Sequence, residues 1–169
     1  NESRDTTHYS IIDKEGNAIS NTYTLGYSFG SGVTIPGTGI LMNNQMNNFA
    51  FKYGDASEIS RSSSPGNKFE PGKRPMSTMN PVIVKNKDNG ISLITGSPGG
   101  SFIPAAALRV ISGIIDFDLD IGEATMLPRI HKDWPYSGLT HESSVSSDII
   151  AILNKFCLLY TSDAADDVR

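Results

Sequence analysis

Lys14-Glu15-Gly16 separates two stretches of alternating side chains, and this turn constrains the fold more than any other feature of the chain. Residues 8–14 set Tyr9 and Ile11 against His8 and Ser10, the alternation of a strand. Residues 17–25 read as the strand that returns. A favoured three-residue hairpin loop places glycine in the left-handed position at its end. With Gly16 there, Asp13 faces Asn17, and the same count carries Thr6 opposite Thr24. Directly opposed residues share one sheet face, with Cβ atoms about 4.5–5.5 Å apart. A slip of one residue would move Thr24 to the other face. The turn chemistry therefore predicts two threonine hydroxyls side by side.

The rest of the chain reads as a mixed α/β (α+β) domain. Residues 26–38 are glycine-rich loop with a short strand, and residues 39–45 form a buried strand or bend. Residues 53–72 are an aperiodic cluster of Gly, Ser, Asp and Pro, which predicts a long surface loop. Residues 81–84 and 91–94 read as two short buried strands joined by Lys87-Asp88-Asn89-Gly90. Ala105, Leu108, Ile111 and Ile115 recur at helical spacing, which predicts a helix over 101–115. Asp120, with Glu123 three residues later, makes a capping-box pattern for a short helix through Met126. Ser146 or Ser147 caps a last helix toward Phe156.

A length of 169 residues suits one domain with a sizeable core. The net charge of −4, with no basic stripe, argues against nucleic-acid binding. No apolar run approaches the roughly 18 residues that span a bilayer. His8, His131 and His141 have no metal-ligand spacing, so no metal and no cofactor is expected. Trp134 reads as a packing residue. Residues 1–5 read as a leader. Residues 157–169, which hold the lone Cys157, look like a sequencing adaptor translated in frame and are set apart from the fold. Residues 6–156 are then the catalytic portion, truncated before its own C-terminus.

Three segments carry chemistry. A threonine hydroxyl becomes a useful nucleophile when a free N-terminal amine serves as its base, which for Thr6 requires a cut after Asp5. Otherwise Thr6 and Thr7 are ordinary strand residues. Gly96, Gly99 and Gly100 lie between a strand and a helix, where backbone N–H groups can point at an anion. An oxyanion cradle, a phosphate loop and a plain turn all fit, although the Lys-Ser/Thr ending of a P-loop is absent. Ser77 and Thr78 lie between Pro75 and Pro81, either as hydroxyl donors to a carboxylate or as a capped turn.

Taken together these runs resemble the small subunit of the γ-glutamyltranspeptidase (glutathione hydrolase) family, within the N-terminal-nucleophile hydrolases. The matching runs are Thr6-Thr7-His8-Tyr9-Ser10, residues 13–24, Gly39-Ile40-Leu41-Met42-Asn43-Asn44-Gln45-Met46, Lys73-Arg74-Pro75-Met76-Ser77, residues 95–101, Glu123-Ala124 and Pro128-Arg129. The resemblance implies a four-layer αββα fold of which this chain is the small-subunit part. It implies a precursor that cleaves itself before Thr6 and needs no cofactor. Its partners would be a large subunit from the same precursor, which supplies an arginine, and a small-molecule γ-glutamyl substrate. Thr6 would be the nucleophile and Thr24 its hydroxyl partner. Gly99 and Gly100 would donate to the oxyanion, Ser77 and Thr78 would hold the substrate carboxylate, and Gln45 would contact the α-amino group. A periplasmic or extracellular location is carried over in the same way.

Two positions depart from the family pattern. Asn48 stands where an aspartate usually holds the substrate ammonium, and charge-assisted hydrogen bonds are roughly twice as strong as neutral ones. Gly26 stands where an asparagine usually follows Thr24-Leu25. The expected activity is γ-glutamyl transfer or hydrolysis on glutathione-like amides. Asn48 motivates a glutaryl-type amidase as the alternative, and a non-catalytic fragment is a third reading.

Overall fold

The computed structural model describes residues 6–50, 64–132 and 138–156, together with the backbone of 159–160. Strand β1 spans Thr6–Ile12 and strand β2 spans Ala18–Thr24. They pair antiparallel with Thr6 opposite Thr24, His8 opposite Thr22 and Ile12 opposite Ala18. The register is the one the turn predicts. Gly16 has φ +84°, and its N–H donates to the Asp13 carbonyl at 3.1 Å. The Asp13 carboxylate accepts from the Asn17 backbone N–H and from Asn17 Nδ2, each at 2.8 Å. The Asn17 side-chain hydrogen bond, followed by its backbone one, holds the Asp13 carboxyl below its ordinary value. The strand begins two residues earlier than its pattern indicates, because Thr6 and Thr7 pair with Thr24 and Tyr23. It also ends earlier, because the turn engages Asp13.

Residues 26–44 fold back as an irregular hairpin rather than a buried strand. Met42 donates to the Val33 carbonyl at 2.8 Å, Ser31 donates to Met42 at 2.9 Å, and Asn44 donates to Leu25 at 2.8 Å. Its one bridge joins Thr34 and Leu41. Ile40 is 59% exposed, so residues 39–45 form a surface bend. The effect of this hairpin is to return Asn44 to the end of β2.

Strands β3 (Val82–Lys85) and β4 (Ile91–Thr95) form a second antiparallel hairpin. Asn86 organises its turn by accepting from the N–H groups of Asp88 and Gly90, at 3.0 and 2.8 Å. Leu93 and Thr95 are buried, whereas Ile83 is exposed, so each strand buries one face rather than two. The even-numbered face of the first hairpin turns toward β4, with Ser20 Oγ donating to the Thr95 carbonyl at 3.1 Å.

Helix α1 (Ile103–Ile115) follows a 3-10 turn at Gly100–Phe102. Its buried line runs through Ile103, Ala107 and Gly113. Leu108, expected on an apolar stripe, is 64% exposed. Helix α2 (Ile121–Met126) crosses at Gly113, where an added Cβ would lie 3.1 Å from the Ala124 Cβ. The capping box at its start is complete: Glu123 N–H donates to Asp120 at 2.8 Å, and Asp120 N–H donates to Glu123 at 3.0 Å. Strands β5 (Ile130–Lys132) and β6 (Gly138–His141) pair antiparallel, helix α3 spans Ser147–Lys155, and β7 (Leu159–Tyr160) adds parallel to β6. Ser146 occupies the cap position of α3, but its side chain makes no capping hydrogen bond.

β7 lies within the segment set apart as an adaptor. Trp134 and residues 53–63 of the expected loop lie outside the described residues. Among the described residues no helix is long and apolar enough to cross a membrane.

Replacing Asp120 with alanine removes the acceptor for the Glu123 N–H. It is expected to cost about 1 kcal/mol of stability, read as a lower urea midpoint with an unchanged slope.

Candidate functional site

Three chain segments meet around the end of the first hairpin. Thr6 and Thr24 are opposed across it and both are half-buried. Thr24 Oγ1 accepts the Gly26 N–H at 2.9 Å. Two rungs along the same face, His8 Nδ1 meets Thr22 Oγ1 at 2.7 Å, and His8 Nε2 meets Ser10 Oγ at 3.1 Å. Partial burial pushes the His8 imidazole below its ordinary value, so the ring is neutral near pH 7. Gly96 lies directly against this ring, and a Cβ at position 96 would overlap it. Strand β4 leads from that contact into the glycine loop.

Two features of the loop suit an anion cradle. Gly99 has φ +125° and Gly100 has φ +55°, conformations that glycine adopts without strain. Neither N–H donates to an acceptor among the described residues. Unpaired N–H groups at the start of a helix favour negative charge. Thr78 Oγ1 donates to the Gly100 carbonyl at 2.7 Å, tying the Ser77–Thr78 segment to this loop. Since Thr78 gives its only side-chain proton to Gly100, Ser77 is the hydroxyl of the pair with a proton to offer. Ser77 Oγ meanwhile accepts the Met79 N–H at 3.1 Å, as a capped turn does.

Gln45 and Asn48 bracket a 3-10 turn at Gln45–Asn48, and Asn48 Nδ2 donates to Gln45 Oε1 at 2.6 Å. The residue that locks this turn to the rest of the site is Asn67, which the loop-like sequence around it concealed. Asn67 is buried; its Nδ2 donates to the Asn48 carbonyl at 2.6 Å, and its Oδ1 accepts the Met76 N–H at 2.8 Å. The Ala50 N–H donates to the Asn67 carbonyl at 3.0 Å, and Phe49 packs edge-on against Phe69 with centroids 5.3 Å apart. One asparagine therefore couples the Gln45–Asn48 turn to the segment carrying Ser77 and Thr78. The only local hint in the sequence is Pro65-Gly66-Asn67, which by itself reads as another surface turn.

No group of three potential metal ligands occurs among the described residues. His131 packs on Phe102 with centroids 4.3 Å apart, and His141 Nδ1 meets the Glu142 carbonyl at 2.9 Å. These histidines help to line a shallow, mostly apolar cleft beside Gly99, to which neither β1 nor β2 contributes. A threonine pair on the first hairpin and two glycine N–H groups without an acceptor among the described residues, in the loop after β4, are group types suited to acyl transfer.

A family model described as gamma-glutamyltranspeptidase matches residues 1–161. A glutathione hydrolase proenzyme of Escherichia coli K12 is 43% identical over 152 residues, covering 90% of this chain and 26% of that protein. One from Pseudomonas aeruginosa is 45% identical over 130 residues, covering 77% of this chain and 23% of that protein. The chain thus spans about a quarter of the length of these curated relatives. In structure it is similar to the T380A mutant of Helicobacter pylori gamma-glutamyltranspeptidase. The TM-score is 0.84 at 39% identity, over 93% of this chain and 84% of that one.

Asn67→Ala would strand the Asn48 carbonyl and the Met76 N–H, at a cost of roughly 2–4 kcal/mol. Because it releases the Gln45–Asn48 turn from the segment carrying Ser77 and Thr78, the candidate substrate contacts, KM for an acyl donor is expected to rise more than kcat falls. Steady-state kinetics of the full-length protein check this.

Proposed function

Since the chain belongs to the γ-glutamyltranspeptidase family, with the fold of the N-terminal-nucleophile hydrolases, we propose that it supplies the nucleophile of an enzyme that hydrolyses or transfers γ-glutamyl groups. The observation that carries this reading is the pairing of Thr6 with Thr24, alongside two unpaired glycine N–H groups in the loop that follows β4.

Cleavage of the bond between Asp5 and Thr6 makes Thr6 a chain start. Its new amine takes the proton from Thr6 Oγ as that oxygen attacks the γ-glutamyl carbonyl carbon. The carbonyl oxygen becomes an oxyanion held by the Gly99 and Gly100 N–H groups. The tetrahedral centre collapses to a Thr6 ester, and the departing amine takes the proton held at the chain start. Water or an acceptor amine then attacks the ester, loses its proton to the same amine, and regenerates Thr6. Thr24 orients the nucleophile, Ser77 donates to the substrate carboxylate, and Gln45 with Asn48 faces the α-amino group. Thr78 supports both ends of this pocket through Gly100.

The partner in this reading is a large subunit from the same precursor. An exposed apolar face supports it: Tyr9, Ile11, Ile19 and Tyr23, each 43–54% accessible, line the side of the first hairpin opposite the site. Tyr9 and Tyr23 pack edge-on there at 6.4 Å. Exposed apolar patches of this kind mark protein interfaces. A periplasmic or extracellular location completes the proposal.

The test is to express the complete precursor, sequence the N-terminus of its smaller product, and compare γ-glutamyl with glutaryl anilides as substrates. Thr6 is the expected first residue, and the γ-glutamyl anilide is the expected preferred substrate. Thr6→Ala is expected to remain uncleaved and to lose activity by on the order of 10³-fold or more. A precursor that never cleaves, or a clear preference for the glutaryl anilide, overturns the reading.

A further inference from the structure

The side chain of Asn44 lies where residue 26 would project its own. Gly26 has φ +101°, and a Cβ built there would collide with Asn44 Oδ1 and lie 3.0 Å from Asn44 Cγ and 3.5 Å from Gln45 Nε2. The contact is made by the irregular hairpin, whose last bond runs from the Asn44 N–H to the Leu25 carbonyl at 2.8 Å. Asn44 is therefore adjacent to the segment Thr24-Leu25-Gly26, and the Gly26 N–H is bound to the Thr24 hydroxyl.

The orientation of the Asn44 amide follows from its partner. The Tyr27 N–H donates to Asn44 Oδ1 at 3.1 Å, and an N–H requires an acceptor, so the amide nitrogen faces the other way. Nδ2 has no acceptor among the described residues, and Asn44 is only half-buried. Two unpaired donor hydrogens thus belong to a side chain that packs against Gly26, whose own N–H is bound to the Thr24 hydroxyl. Nearby, Asn48 gives one amide hydrogen to Gln45 and keeps its oxygen available. The three carboxamides offer a donor at Asn44 and an acceptor at Asn48, the complement of an amino acid head that carries both a carboxylate and an ammonium.

We propose that Asn44 is a specificity-determining residue, donating through Nδ2 to the α-carboxylate of the γ-glutamyl group. The assignment rests on the acyl-transfer reading given above. An ammonium accepts no hydrogen bond, so this donor discriminates for the carboxylate alone. Gly26 is part of the same device, because any side chain at that position would displace the amide.

The test uses the full-length proenzyme and two anilides: γ-glutamyl p-nitroanilide and γ-aminobutyryl p-nitroanilide, which lacks the α-carboxylate. Asn44→Asp keeps an oxygen for the Tyr27 N–H and exchanges only the free donor for an anionic acceptor. The preference for the γ-glutamyl substrate, as a ratio of kcat/KM values, is expected to fall by about 10- to 100-fold, mostly through KM. Asn44→Ala removes the donor without adding charge and is expected to lower the ratio by about tenfold. It serves in its place if the aspartate variant does not mature. A ratio unchanged in the variant that matures, or an equal loss on both substrates, overturns the assignment of Asn44. Wild-type enzyme that turns over neither anilide overturns the acyl-transfer reading itself, so the two failures are distinguishable.

Discussion

The site depends on a three-residue turn that lies well away from it. Asp13 accepts two hydrogen bonds from Asn17, and Gly16 takes a backbone conformation that a side chain would resist. Together they fix the register of β1 against β2. Strand pairing has a side-chain period of two. An odd slip would therefore carry Thr24, Thr22 and Ser20 to the opposite face of the hairpin. The interactions of that face would go with them: the His8–Thr22 contact and the bond from Ser20 to Thr95. Local turn chemistry thus has its consequence at the far end of the strands.

From that ledge the remaining parts are attached by single hydrogen bonds made by side chains of intermediate or low exposure. Thr78 reaches the glycine loop, Asn67 reaches two segments, and Asn48 reaches Gln45. Such bonds matter less for their mean contribution than for the unsatisfied groups that their loss would leave. The result is that segments from distant parts of the sequence are tied to one another by a few side chains.

The sequence shows what is set locally. The hairpin register is readable because a three-residue turn admits few geometries. The Asp120–Glu123 cap is readable because both partners lie within one helical turn. Asn67 was hidden because its partners at positions 48 and 76 are distant and its neighbours are turn-forming residues. The buried line of α1 was misjudged because Gly113 packs closely on Ala124 of another helix, so that glycine rather than a large apolar residue marks the core side. For residues 39–45 the apolar content allows a buried strand or a bend, and the exposure of Ile40 and Met42 selects the bend. Thr6, Thr24, Gly99 and Gly100 stood out as types suited to acyl transfer, whereas the burial and hydrogen bonds that assign separate tasks to Ser77 and Thr78 are tertiary facts.

The contact between His8 and Gly96 has an evolutionary corollary. The imidazole fills the volume that any substituent on residue 96 would need. Neither position is free to drift alone: a bulkier residue 96 is tolerated only in a lineage that has already trimmed residue 8. Among descendants of one ancestor, the two sites should therefore change in tandem or stay as they are.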